Sequence, residues 1–399
     1  MKTSSNTIRI LSVLLLVTSG CNRIPTIDIS NSRNTIIHVD FPDNKAMFRN
    51  ADSLVKHIDS CSFIQLETNA QCLIGEITKT IIHKNRLYIL DCDVTQAVYV
   101  YDLEGNWIST IAKKGHGPGE YINITDMYID KANSTLNLVA FANKKIMRFD
   151  LTGEKLLDEI PLSISIMNAE SFPNGAMVGY SNSNNQSNNT SPQIFCFEDK
   201  DLSSIHYAAL PIPSGWKDTS LGGGSVLSNQ NETIYYLEPL QNKVYKIEPD
   251  SIYLMYTFDF KDLNPDTEMT SEEFLKISPF QRNRTILKID RLSLLSDGMV
   301  IEVKYQGKRK LVFFSDNYQK AEPYLITNNP LLKPLPFGYS VSLADGVLIT
   351  QLRPDQVQNW IKRDDYATKY PESAKITQRN IRKPILEDDN PILCIYHVK

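Results

Sequence analysis

The sequence predicts an all-β chain folded as a six-bladed β-propeller, and three observations carry that reading. Short runs of alternating apolar residues recur along the chain and are split by Gly, Asn, Asp and Pro turn signals. One complete four-stranded unit is followed by a second with the same strand order and the same turn chemistry. The last unit is one strand short, and an unpartnered strand precedes the first complete unit.

The N-terminus is read separately. Lys2 and Arg9 give a positive start, residues 10–17 (ILSVLLLV) form a short apolar run, and Thr18-Ser19-Gly20-Cys21 follows. A bilayer-spanning helix needs about 20 apolar residues; this run has the size of a signal-peptide core. Small residues before Cys21 match a bacterial lipobox, with Thr18 where Leu is usual. Residues 1–20 are thus expected to be a signal peptide and 21–57 a lipidated tether and N-terminal extension. Cys21 is expected to carry the acyl chains that make the membrane a partner, each buried CH₂ contributing about 0.8 kcal/mol. An ordinary secretory signal with Cys21 incidental is the alternative.

Without residues 1–20 the chain has 40 basic and 46 acidic side chains, a net charge of −6. That balance argues against a nucleic-acid partner, which needs a clustered basic face. Five cysteines remain, with no C-x-x-C, so neither a disulfide framework nor a zinc site is indicated. Cys92, Cys196 and Cys394 fall in or beside apolar runs and are expected as buried thiols. A Cys61–Cys72 bridge is compatible with an oxidising periplasm but is not required.

Blade one reads as strands 77–83, 86–91, 97–102 and 107–112. Blade two reads as 125–129, 135–140, 145–150 and 155–160. Tyr101-Asp102-Leu103-Glu104-Gly105 recurs as Phe149-Asp150-Leu151-Thr152-Gly153, each before an alternating strand, at a blade-sized interval. Weaker copies span 164–210, 225–260 and 285–326. Blade six opens at Tyr339 and takes its third strand from 392–397. The early strand 62–67 (SFIQLE) is expected to be its fourth, closing the ring and removing both open edges. The propeller thus occupies 58–399, with 352–390 inserted in blade six. Helical periodicity is clear only near 355–368, with a weaker candidate at 271–277.

Blade geometry puts the strand 2–3 links and the blade-to-blade links on one face, here the first face. The other turns share the second face. The first-face links are longer and more varied: 91–96, 112–121, 181–192, 238–243, 306–309 and 352–390. Binding tends to concentrate in such loops. Asp91 and Asp93 form a D-x-D pair with oxygen chemistry suited to Ca²⁺, but without an EF-hand's glycine and closing glutamate. His116 and Glu120 lie in Gly115-His116-Gly117-Pro118-Gly119-Glu120-Tyr121. They are expected either as a polar pair at the channel mouth or as parts of a tight crossing in which Glu120 ties down backbone N–H groups. Glu238 and Arg309 end two further links. Trp360 is expected to pack the blade-six insertion, as a cap over the first face or as decoration of strand ends. Residues 181–190 (SNSNNQSNNT) read as a polar surface loop.

Enzyme signatures are mostly missing: there is no H-E-x-x-H, G-x-S-x-G or Walker sequence. Ser53-Leu54-Val55-Lys56 fits S-x-x-K and Ser315-Asp316-Asn317 fits S-D-N, but the two lie far apart with no K-T-G, and both are read as chance matches. No cofactor is predicted, Ca²⁺ being the one metal the D-x-D pair suggests.

The stretches LETNAQCLIGEI, RLYILD, YDLEGNWI, KKGHGPGEY and DDNPILCIYHVK resemble the six-bladed β-propeller lipoproteins of gut-type Bacteroidetes. That family is similar to NHL-repeat and TolB-like propellers. The resemblance runs from Leu54 to Lys399, and the glycine-rich stretch at 115–121 is its most specific element. It implies the fold and a lipid-anchored place on the outer membrane, while the family's activity is largely unassigned. Asn22-Arg23-Ile24-Pro25-Thr26 lacks the acidic cluster of surface export, which favours the periplasmic side. The expected role is a binding or scaffolding propeller for a peptide, glycan or partner protein. The alternative is an NHL-like hydrolase or lyase with a metal near the central channel.

Overall fold

The computed structural model describes residues 25, 27, 29, 34–42, 48–182, 192–198, 202, 204–216, 225–326, 329–332, 335–381 and 383–399. The expected signal peptide, Cys21 and loop residues 183–190 lie outside the described residues.

Two strands precede the first blade, β1 (Thr35–His38) and β2 (Ile58–Gln65). Blade one is β3 (Lys79–His83), β4 (Arg86–Asp91), β5 (Ala97–Asp102) and β6 (Trp107–Ile111). Blade two is β7 (Asp126–Asp130), β8 (Thr135–Ala140), β9 (Lys145–Asp150) and β10 (Leu156–Pro161). Blade three is β11 (Asn168–Ser171), β12 (Met177–Tyr180), β13 (Pro192–Phe197) and β14 (Ile205–Pro211). Blade four is β15 (Leu227–Gln230), β16 (Thr233–Glu238), β17 (Lys243–Glu248) and β18 (Ser251–Asp259). Blade five is β19 (Ile289–Leu295), β20 (Gly298–Tyr305), β21 (Lys308–Ser315) and β22 (Lys320–Tyr324). Blade six is β23 (Tyr339–Ala344), β24 (Val347–Leu352) and β25 (Ile392–Val398), completed by β2. Within each blade the four strands run antiparallel and follow sequence order outward from the innermost, except that the outermost strand of blade six is the early strand β2. The molecule is the expected six-bladed propeller.

The repeated Asp-Leu-x-Gly turn has a direct cause. Gly105 and Gly153 both hold positive φ, +85° and +74°, where a side chain is strained. A Cβ on Gly105 would also collide with the Gln65 carbonyl. Asp102 and Asp150 fasten the turns by accepting from the backbone N–H of Asn106 (2.8 Å) and Lys155 (3.0 Å).

Ring closure runs from Ile58↔Val398 to Gln65↔Ile392. The strand starts earlier than the apolar signal suggests, because Asp59-Ser60-Cys61-Ser62 lies on the solvated outer edge. Asn390 locks the joint. Its Oδ1 accepts from Ile74 N (2.9 Å), and its Nδ2 donates to the carbonyls of Glu67 (2.8 Å) and Cys72 (2.7 Å). Cys61 and Cys72 are both free thiols; Cys72 Sγ donates to Glu67 O (3.2 Å), while Cys61 lies beside Cys394.

Part of the N-terminal extension is built into the propeller. β1 adds a fifth, parallel strand to blade four, with Ile37 buried and Ile36 outward. Glu322 on β22 anchors the next segment through Arg49 (2.9 Å) and Lys56 (2.7 Å).

The core lies between adjacent blades. Leu87, Ile89, Tyr99 and Tyr101 of blade one, for example, meet Val341, Ile349, Leu393 and Ile395 of blade six. Helices are short: α1 (Ala51–Leu54), α2 (Ser271–Lys276), α3 (Pro279–Arg284), α4 (Pro354–Ile361), α5 (Tyr366–Lys369) and α6 (Pro371–Asn380). A Thr270–Glu273 capping box starts α2. The helix expected over 355–368 breaks after Ile361, and α6 is additional; its sequence, PESAKITQRN, carries little apolar periodicity. Among the described residues no helix is long and apolar enough to cross a membrane.

Candidate functional site

The inner strands of the six blades surround a cavity of about 1380 Å³ that also reaches outward between blades six and one, to Ile64, Leu103 and Ile395. Two ionic clusters stand on its walls near the first face. On the first, Lys79 of β3 reaches across to Asp126 of β7 (2.9 Å) and Glu170 of β11 (3.2 Å). Burial opposes the charge on Lys79, but the two carboxylates outweigh it and hold its pKa above the usual range. Burial raises the pKa of Glu170, with Lys79 as the main opposing influence. On the second, Glu302 of β20 accepts from Arg291 of β19 (2.7 Å), lies 3.5 Å from Arg309 of β21, and is bonded by Ser340 of β23. Arg309 also donates to the Ser340 carbonyl, so this cluster ties blade five to blade six. Lys288 and Asp290 pair beside it at 3.5 Å. Tyr339, 69% exposed, stands at the rim.

The second face is cross-linked by turns. Asp345 N donates to Gln230 Oε1 (3.0 Å), and Asn231 N donates to Asp345 Oδ1 (2.7 Å), joining blades four and six across blade five. Gly346 N donates to Ser293 Oγ (2.8 Å).

The residues singled out in the sequence scatter around this site. Asp91 is fully buried and accepts from the N–H of Gly75 (2.9 Å), Glu76 (2.9 Å) and Val94 (2.8 Å) and from the Thr95 hydroxyl (2.8 Å). Burial works against its ionisation, but these donors prevail and hold its pKa below the ordinary carboxylate range. It therefore binds two first-face links to each other. Asp93 is exposed and lines the cavity, while its backbone N–H donates to Asp91 Oδ1 (3.3 Å). His116 is exposed and does not line the cavity. Glu120 folds back against Gly115 and accepts from Gly117 N (2.8 Å), the backbone-tying arrangement. Glu238 is buried against Tyr245 Oη (3.2 Å) and Gln241 Nε2 (3.2 Å), away from the cavity. Burial pushes its pKa up to about 7. Trp360 is half-buried with the Arg363 guanidinium 4.8 Å over its ring. The insertion packs on blade six through Val357, Trp360, Ile376 and Ile385; only Arg353, Gln356 and Asn380 from its helical part reach the cavity. Arg309 alone belongs to an ionic cluster on the cavity wall. Among the described residues no three His, Cys, Asp or Glu side chains converge to hold a metal ion.

Lys79, Asp126, Glu170, Arg291 and Glu302 were not evident as site residues in the sequence. Their signal is a charge inside an otherwise apolar inner or second strand, as in KTIIH, DMYID and GMVIEVKY.

Comparison with known proteins places the fold in context. A candidate exported protein of Bacteroides fragilis NCTC 9343 has a TM-score of 0.70 at 19% identity, covering 92% of this chain and 100% of that one. A member of the DUF4221 family from Bacteroides vulgatus has a TM-score of 0.49 at 8% identity, covering 86% and 97%. No curated protein matches the sequence. The family profile described as a domain of unknown function, DUF4934, matches residues 39–397, and the chain belongs to that family.

Proposed function

We propose that the protein is a binding propeller of the cell envelope, anchored through lipid on Cys21 to the outer membrane on its periplasmic side. It holds a peptide, glycan or partner protein at the first-face mouth of its channel. One observation carries the choice of face. Among the described residues, seven of the eleven exposed large apolar side chains lie on first-face links or at the rim: Leu73, Val94, Ile122, Leu275, Phe280, Tyr339 and Leu386. Exposed apolar side chains gathered on one face are characteristic of an interaction surface. The similarity to a candidate exported protein of Bacteroides fragilis accords with the envelope placement. The hydrolase or lyase alternative has no three-residue metal-ligand set among the described residues to start from.

The test compares what co-purifies with the native chain and with two variants. Tyr339→Asp combined with Phe280→Asp should abolish co-purification, and Leu157→Asp on the outer strand of blade two should not. Equal loss in both, or in neither, counts against the first face. Incorporation of labelled palmitate should vanish in Cys21→Ala; persistent labelling would refute the anchor.

A further inference from the structure

We propose that the outer rim of blades three and four rests on the lipid bilayer, held there by a lipid anchor whose attachment is docked along the propeller's edge. This deepens the lipid-anchor reading above and rests on it.

The N-terminal extension passes along the outer edges of consecutive blades. Pro25 O accepts from the backbone N–H of Ala208 (2.9 Å) on β14, the outermost strand of blade three. Ile27 and Ile29 pack against the apolar cluster shared by blades three and four. β1 then pairs with β18 of blade four. Arg49 donates its N–H to Pro323 O and accepts from Leu325 N, both at 3.1 Å, at the outer edge of blade five. β2 completes blade six. Among the described residues the first fixed point of the extension is therefore Pro25, on blade three.

Cys21 lies four residues before Pro25. An extended chain spans at most about 3.6 Å per residue, so the acylated residue stays within about 14 Å of Pro25. That reach is shorter than the roughly 20 Å radius of gyration of a domain this size. The bilayer that takes the acyl chains is thus kept beside the blade-three edge, and blade six, opposite in a ring of six consecutive blades, points away. The two rims differ as this placement requires. Ile36 of β1, next to the anchor, is 58% exposed, and an apolar side chain gains by entering the boundary between headgroups and acyl chains. The far rim on β2 presents Asp59 and Ser60 to solvent. In this orientation the channel axis lies along the bilayer plane, and both mouths stay open to solvent, so anchoring does not compete with binding at the first face.

The probe is the full chain, purified with its lipid and placed in vesicles of phosphatidylethanolamine and phosphatidylglycerol. A photoreactive residue is placed at 36 or 206 on the near rim, at 59 on the far rim, or at 339 or 104 on the two faces, and phospholipid adducts are read by mass spectrometry. Adducts at 36 and 206 should exceed those at the other positions at least fivefold. A Gly/Ser linker of about 20 residues between Ile24 and Pro25, with an r.m.s. span of about 25 Å, should erase most of that difference while palmitate incorporation persists. In a chain that takes up palmitate, equal yields at 36 and 59, or the highest yield at 339 or 104, would overturn the rim placement and leave the anchor standing. Adducts at 36 to protein in place of lipid would overturn the bilayer as partner. A preference that the linker leaves unchanged would overturn the short anchor as what sets the orientation. A chain that takes up no palmitate would remove the anchor reading itself.

Discussion

Lys79 is a charged residue enclosed by the propeller it holds together. Its ammonium satisfies two carboxylates from different blades, Asp126 and Glu170. Removing one partner of such a cluster leaves the others buried and uncompensated, which typically costs 3–5 kcal/mol. Lys79→Met is expected to lose about 3 kcal/mol at pH 7 in urea unfolding. The deficit should shrink as the pH falls and Glu170, whose carboxyl is already raised by burial, takes up a proton. A constant deficit across pH would contradict this. Glu238 gives an independent check with a defined window. Its folded pKa, about 7, lies above the ordinary 4.5, so the folded state binds the proton more tightly. The associated stability is full below pH 4.5 and is lost as pH rises toward 7, by about 3 kcal/mol. Between pH 5 and 8 the native chain should lose more stability than Glu238→Gln; parallel curves would place the carboxyl in water. Neither behaviour was legible from sequence. Glu238 ends an ordinary strand, and only burial beside Tyr245 makes it a weak acid.

At the scale of elements, strand order was readable and closure chemistry was not. Blades one and two read almost residue for residue because their middle strands β4, β5 and β8 are buried on both faces and their turns carry glycine at positive φ. β1 escaped notice because only Ile37 of its four residues is buried. The stretches that carry the family resemblance prove to meet in space. Asn390 of the terminal DDNPIL segment bonds the backbone of LETNAQCLI, and Asp91 of RLYILD holds the N–H groups of Gly75 and Glu76. These motifs hold the ring shut. Asn390→Ala strands one buried N–H and leaves two carbonyls without this partner, so it should cost about 3 kcal/mol. Chemical denaturation should show that loss, with hydrogen exchange fastest in β2 and β25. A loss below about 1 kcal/mol would mean that β-sheet pairing alone closes the ring.

At the scale of the molecule, the two faces differ in construction. Second-face turns bond to one another across blade five, whereas first-face links and the rim carry most of the exposed apolar side chains among the described residues. Loop lengths foretold which face was irregular. They did not foretell that His116 and Glu120 sit outside the cavity, because glycine-rich stretches read alike whether they shape backbone or bind ligands. Nor did they reveal the paired ionic walls, which arise only when inner strands from separate blades converge. The measurement that tests the first-face claim most directly is photo-crosslinking in cells, with the photoreactive residue at position 339 on the first-face rim or at position 104 in a second-face turn. Adducts at 339 and none above background at 104 are predicted. Adducts equal at both positions, or confined to 104, would contradict the account.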